Sequence, residues 1–190
     1  MIESFERSVE LLERAERTIP LGAQTFSKSK TQFPVGVSPL FAASGKGAEL
    51  VDVDGNRYVD FINALAAVLI GYADERVNAA VAEQLERGVT FSLSTELEME
   101  VAERLVALVP CAEQVRFGKN GSDATAAAVR LARACTGRER IAACGYHGWQ
   151  DWYIGTTTRD LGVPAAVKAL SHPFRYNDAD SLAAVLDAHP

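Results

Sequence analysis

The sequence predicts an α/β fold: an incomplete, mainly parallel sheet flanked by helices, preceded by an N-terminal helix and a β-hairpin. Three observations carry that expectation. From residue 114 onward a short apolar run, "QVRFGK", leads through a helical stretch over 122–135 into a second run, "RIAACG". One helix between two short apolar strands is how parallel neighbours are joined. Upstream, "AELVDVDGNRYVDF", residues 48–61, alternates apolar and polar positions around Asp54-Gly55-Asn56, the pattern of a hairpin. Between them, residues 74–110 hold two apolar stripes at helical spacing, each with its own start and stop signals.

Taken in order, residues 3–17 form an amphipathic helix, with Phe5, Val9, Leu12 and Ile19 near helical spacing and Pro20 closing it. A Gly/Ser/Thr/Pro-rich loop follows over 21–41, long for a connection within one domain. After the hairpin, "NALAAVLIGYA" leads to a helix capped by Asp74, with Val77, Val81 and Leu85 as its inner face and Gly88 at its end. Thr95-Glu96-Leu97-Glu98 is a capping box for the next helix. Its stripe is Leu97, Val101, Leu105 and Leu108, and Pro110 stops it. Thr136-Gly137 ends the helix over 122–135, and a last helix over 178–188 begins near Asp178 or Asp180.

Composition narrows the function. The 190 residues carry a net charge of -6, with 48% hydrophobic and 23% charged residues and scattered basic side chains. That balance favours a core-forming protein and gives no electrostatic footprint for nucleic acid or an anionic membrane. No apolar run approaches the roughly 20 residues of a membrane helix. The charged N-terminus is neither signal peptide nor anchor. Cys111, Cys135 and Cys144 have no metal-type spacing and read as reduced thiols. The expected setting is cytoplasmic, without a metal.

Two stretches could carry chemistry. In Asn120-Gly121-Ser122-Asp123 the start of a helix offers unpaired N–H groups and a positive dipole end, Gly121 admits close approach, and Ser122 adds a hydroxyl. That is competent for phosphate, though a plain N-cap looks the same from sequence. It is neither a Walker loop nor a dinucleotide fingerprint. The second stretch, "CGYHGWQDWY", residues 144–153, follows the next strand and so falls at the same sheet edge. Tyr146 can cover a flat heteroaromatic ring and His147 offers a polarisable donor or acceptor, unless both pack in an aromatic core. Phosphate and flat ring together suit pyridoxal phosphate.

These motifs, with "GKGAELVDVDGNRYVDF", "LIGYADERVNAAVAEQLERG", "STELEMEVAERLVALVP" and "GYHGWQD", resemble in order and spacing the N-terminal portion of a class III, fold-type I, pyridoxal-phosphate aminotransferase. The glutamate-1-semialdehyde aminomutase branch is the nearest likeness, and it runs from about residue 15 to 160. The resemblance implies that Gly121 and Ser122 hold the cofactor phosphate, that Tyr146 stacks on its ring, and that His147 and Gly148 complete the turn. It also implies a homodimer, and a division into residues 1–62 of a small domain and 63–190 as the first part of a large cofactor-binding domain. The substrates it implies are a small-molecule amino donor and a carbonyl acceptor.

Departures bear on the substrate. An acid common in the family three places after Asp123 is replaced by Ala126. In the aminomutases an Asn-Ser-Pro-Val-Arg stretch faces the substrate carboxylate; the matching "QTFSK" puts Lys28 in place of the arginine, and lysine lacks its bidentate fork. Leu65 stands where tryptophan is typical. Both changes point from aminomutase toward ordinary transamination. The family's Schiff-base lysine is expected beyond Pro190, since Lys28, Lys30, Lys46, Lys119 and Lys168 have the wrong context, so these residues alone are expected to be inactive. The alternatives are an aminomutase, a non-catalytic module binding a phosphate ligand or partner, and, less favoured, a nucleotide-binding protein.

Overall fold

The computed structural model describes residues 4–189 and gathers the chain into two units, Met1–Ser94 and Thr95–Pro190. The first unit opens with helix α1 (Glu6–Ala15), whose N-cap position is filled by Phe5, a residue with no side chain acceptor. The missing cap comes from far along the chain. Asp54, in the hairpin turn, accepts hydrogen bonds from the N–H groups of Arg7 (2.7 Å) and Ser8 (3.0 Å) and from the Ser8 hydroxyl (2.6 Å). A carboxylate at that end also meets the positive end of the helix dipole. The expected start of this helix at residue 3 lies outside the described residues.

The hairpin that supplies the cap is part of a three-stranded antiparallel sheet: β1 (Ala42–Lys46), β2 (Glu49–Asp52) and β3 (Arg57–Val59), in that order. Sequence patterning marks the β2–β3 hairpin but not β1, whose "AASGK" lacks alternation. Asp52, only 1% exposed, organises the turn. Its carboxylate accepts from the N–H groups of Asp54 (2.9 Å) and Asn56 (2.8 Å), the Asn56 amide (2.9 Å) and the Tyr58 hydroxyl (2.8 Å). Burial pushes this carboxyl up, but those four donors outweigh it and leave it below the usual carboxylate range. The Asn56 amide also reaches the Ser4 carbonyl (2.8 Å). Helix and turn are thus one polar unit. Asp54→Ala is expected to lower stability by about 1–2 kcal/mol, as loss of a helix cap does. A urea midpoint measures it, and Asp54→Asn, which keeps an acceptor, recovers part.

Beyond β3 comes an arrangement no pattern foretold. The single turn α2 (Asn63–Ala66) is wound left-handed, with φ of 55°, 49°, 59° and 65° at four non-glycine residues. Each costs about 1–2 kcal/mol. Asp60 offsets part of it by accepting from the N–H groups of Ile62 (2.8 Å), Asn63 (3.1 Å) and Ala64 (3.0 Å). Helix α3 (Glu75–Arg87) then starts as expected, with Asp74 accepting from the N–H groups of Arg76 and Val77, and it ends at Gly88.

In the second unit, α4 (Glu96–Leu108) begins at Thr95, whose hydroxyl accepts from Glu98 N–H (3.4 Å). Helix α5 (Gly121–Thr136) is capped by Asn120, which accepts from Asp123 N–H (3.0 Å), and closes at left-handed Gly137. The chain continues through β4 (Ile141–Ala143), the short turns α6 (Asp151–Ile154) and α7 (Ala165–Lys168), β5 (Ser171–Pro173) and α8 (Ala179–Ala188), capped by Asp178 rather than Asp180.

Three expectations are corrected. "QVRFGK" forms no strand: no described strand pairs with residues 114–119, and a ladder needs a neighbour. The parallel partner of β4 is instead β5, in register Ile141–Ser171, Ala142–His172 and Ala143–Pro173. A three-residue Ser-His-Pro strand gives sequence patterning nothing to find. Finally, the stripes read as inner faces, Val77, Val81 and Leu85 on α3 and Leu97, Val101, Leu105 and Leu108 on α4, stand exposed, because no described element covers them. No helix among the described residues is long and apolar enough to cross a membrane.

Candidate functional site

The start of α5 and the turn after β4 come together in the second unit. The Asn120 side chain satisfies Asp123 N–H and the Asn120 carbonyl satisfies Ala124 N–H (3.2 Å). That leaves the N–H groups of Gly121 and Ser122 without an acceptor among the described residues. A methyl group at Gly121 would meet nothing within 4 Å, so no neighbouring atom crowds its Cα. Ser122, half-buried, adds its hydroxyl, which has no described partner. Two free N–H groups, a hydroxyl and the positive end of a four-turn helix suit an anion with several oxygens.

The turn of residues 144–148 lies against this first helical turn. Gly148 has a φ of 108°, and a Cβ there would fall 2.2 Å from Ser122 Oγ and 3.3 Å from Ser122 Cα. Only a residue without a side chain permits that approach. Thr125 Oγ1 lies 3.1 Å from the His147 carbonyl oxygen, its acceptor across the gap. The predicted pair, Ser122 and the turn bearing Tyr146, is therefore brought together.

Tyr146 is 79% exposed, with its ring edge-on to Tyr153 at 5.7 Å. It is a large aromatic surface left uncovered on the turn that packs against the start of α5. His147 is engaged differently. Its Nε2 sits 2.6 Å from the Cys144 carbonyl, which requires the Nε2–H tautomer as donor, and its ring stacks on Trp152 at 5.8 Å and meets the edge of Tyr153 at 5.3 Å. In this structure the histidine holds the shape of the turn. Thr125, which sequence reasoning passed over, ties that turn to the helix. Its contact spans 22 residues, and nothing in the local pattern signals it.

Lys28 and Leu65, the two departures singled out for substrate, share a cleft in the first unit of about 560 Å³ that also includes Phe41, Tyr58, Asp60 and Tyr72. Its walls are mostly apolar. The Tyr72 hydroxyl donates to Asp60 at 2.5 Å; that bond pulls the Asp60 carboxyl below its usual range and, with burial, pushes Tyr72 up to about 12. Burial and its bond to Asp52 push Tyr58 up to about 12 as well. Both phenols stay protonated at neutral pH and serve as donors, not bases. Lys28, exposed and without a described acidic partner, is the free cation of this cleft. Among the described residues no cluster of His, Cys, Asp or Glu is placed to hold a metal ion.

Comparison with known proteins meets this geometry. A family model described as aminotransferase class III matches residues 32–185. The chain is 40% identical over 184 residues to a 3-aminobutyryl-CoA aminotransferase of Cloacimonas acidaminovorans, covering 96% of this chain and 44% of that protein. It is 39% identical to a glutamate-1-semialdehyde 2,1-aminomutase of Roseiflexus castenholzii, covering 97% and 44%. Among solved structures, an omega-transaminase from Sphaerobacter thermophilus matches with a TM-score of 0.82 at 36% identity, over 95% of this chain and 44% of that one. A transaminase with PLP bound matches with a TM-score of 0.86 at 32% identity, over 100% and 45%. The chain spans less than half the length of these relatives.

Proposed function

The chain belongs to the class III aminotransferase family, and from that membership we propose that the full-length protein moves an amino group between an amino donor and a carbonyl acceptor with pyridoxal phosphate. Residues 1–190 supply the phosphate- and ring-binding elements. The observation that carries this reading is the packing of the Tyr146 turn on the donor-rich start of α5.

The residues fit the cofactor. The N–H groups of Gly121 and Ser122 and the Ser122 hydroxyl would hold the phosphate, with charge-assisted bonds stronger than neutral ones. Tyr146 would cover one ring face and exclude water from it, and His147 would keep the turn in shape. Bound there, the cofactor supplies the electron sink that lets the carbon bearing the amino group give up a proton. Lys28, set in an apolar cleft, would pair as a point charge with an anionic group on an otherwise apolar substrate. In this proposal the lysine that carries the cofactor lies outside the five in this sequence, none of which has the family's context; ion pairs of Lys30, Lys46 and Lys168 with Glu16, Glu75 and Asp160 support that reading. A small domain of residues 1–62, a cofactor domain beginning at residue 63, a cytoplasmic setting and a homodimer belong to the same proposal. The downstream half and a second subunit would cover the exposed stripes of α3 and α4.

The likeness to glutamate-1-semialdehyde aminomutases favours a second reading, in which the amino group moves within one molecule. Lys28 and Leu65 argue against it. One experiment separates the two. The full-length protein with PLP is assayed across amino donors and carbonyl acceptors, then reduced with borohydride and peptide-mapped. The expected results are intermolecular transfer, preferentially on substrates with an anionic tail, and a label on a lysine other than the five. Intramolecular transfer alone would establish the aminomutase; a protein that takes up no PLP would end the proposal.

A further inference from the structure

We infer that Thr125 is a positioning residue: its hydroxyl fastens the Tyr146-His147-Gly148 turn to the first turn of α5 and so sets the gap that receives the cofactor. This rests on the reading of the site proposed above. Thr125 Oγ1 has one proton and two carbonyl oxygens in reach, Ser122 at 3.2 Å and His147 at 3.1 Å. The first is the local back-bond open to any helical threonine. The second crosses to the aromatic turn and is the hydrogen bond that joins helix and turn among the described residues.

Among the described residues no other hydrogen bond ties the turn to α5. The His147 imidazole bonds within the turn, to Cys144, and Gly148 touches Ser122 through packing alone. Gly145 and Gly148, with φ of 81° and 108°, give the turn a backbone shape that a residue with a side chain rarely adopts. Helix propensity gives no reason for threonine here, since Ala124, Ala126, Ala127 and Ala128 around it are better helix formers. Its value lies in the hydroxyl. Thr125 touches neither ring nor phosphate in this scheme; it acts through the backbone of the residues that do.

The test compares Thr125→Val, Thr125→Ala and Thr125→Ser in the full-length protein. PLP is titrated into each apo form while absorbance and the circular dichroism band of bound cofactor, which reports ring orientation, are followed. Apo melting temperatures serve as the folding control. Thr125→Val and Thr125→Ala are expected to bind PLP about five- to tenfold more weakly, the loss of one hydrogen bond, and to change the dichroism band. Thr125→Ser restores both. If the valine variant fails to fold, the alanine and serine pair decides, because alanine suits the helix. Wild-type affinity and dichroism in Thr125→Val, or a serine variant no better than alanine, would overturn the inference. A wild type that takes up no PLP would instead overturn the functional proposal beneath it.

Discussion

Gly148→Ala is expected to weaken PLP binding by the full-length protein roughly 100-fold, near the top of what strain at such a backbone position costs. Two effects combine. A φ of 108° is one that an L side chain rarely adopts, and strain of that kind costs about 1–3 kcal/mol. The new methyl would also fall 2.2 Å from Ser122 Oγ, 3.0 Å from its Cβ and 3.3 Å from its Cα. A hydroxyl can rotate away, but the Cβ and Cα belong to the helix start, so turn and helix must part. Gly137→Ala is the control. It has a positive φ of 69° at the end of α5, yet a methyl there meets nothing within 4 Å. That variant is expected to lose about 1 kcal/mol of stability, the left-handed penalty, with PLP affinity unchanged. PLP titration with denaturant unfolding of both variants measures the contrast. Equal PLP affinity in Gly148→Ala and wild type would show that the close approach is dispensable.

The fold is legible in the sequence where the signals are local. Asp74, Thr95 and Asp178 cap helices because their acceptor atoms reach N–H groups two or three residues on, a geometry that spacing alone specifies. Gly88 and Gly137 end helices for equally local reasons. The candidate cofactor site is a mixed case: the sequence marks Gly121-Ser122 as a helix start and Tyr146 as part of a turn after a strand, but the shared sheet edge expected from "QVRFGK" is absent among the described residues. The two stretches meet instead through Gly148 against Ser122 and Thr125 against the His147 carbonyl.

What stayed hidden depends on residues far apart or on pairing. Asp54 caps a helix 46 and 47 residues upstream, so α1 lacks a cap in its own sequence and has one in the fold. Thr125 reads as an indifferent helical residue until the His147 carbonyl is seen beside it. The left-handed turn of Asn63–Ala66 contains no glycine, and Asp60, also bonded to Tyr72, helps to hold it from outside the turn. "QVRFGK" has the composition of a strand and lacks a described neighbour, whereas Ser171–Pro173 has a poor composition and acquires strand character from β4. The clustering of Lys28 and Leu65 in one cleft is the converse case. Each was singled out separately, and the fold puts them on shared walls.

The largest remaining effect concerns the phosphate itself, and it tests the central claim directly. Pyridoxal has the cofactor's ring without its phosphate, so the ratio of PLP to pyridoxal affinity isolates what the start of α5 contributes. The measurement is that ratio in full-length wild type, Ser122→Ala and Tyr146→Ala. Hydrogen bonds to a charged group contribute about 1.5–3 kcal/mol each. Wild type is therefore expected to favour PLP by roughly 100-fold or more, and Ser122→Ala to shrink that preference about tenfold while leaving pyridoxal binding unchanged. Tyr146→Ala should weaken both ligands alike and leave the ratio intact. A Ser122→Ala protein with the wild-type ratio would contradict the assignment of the phosphate to this helix.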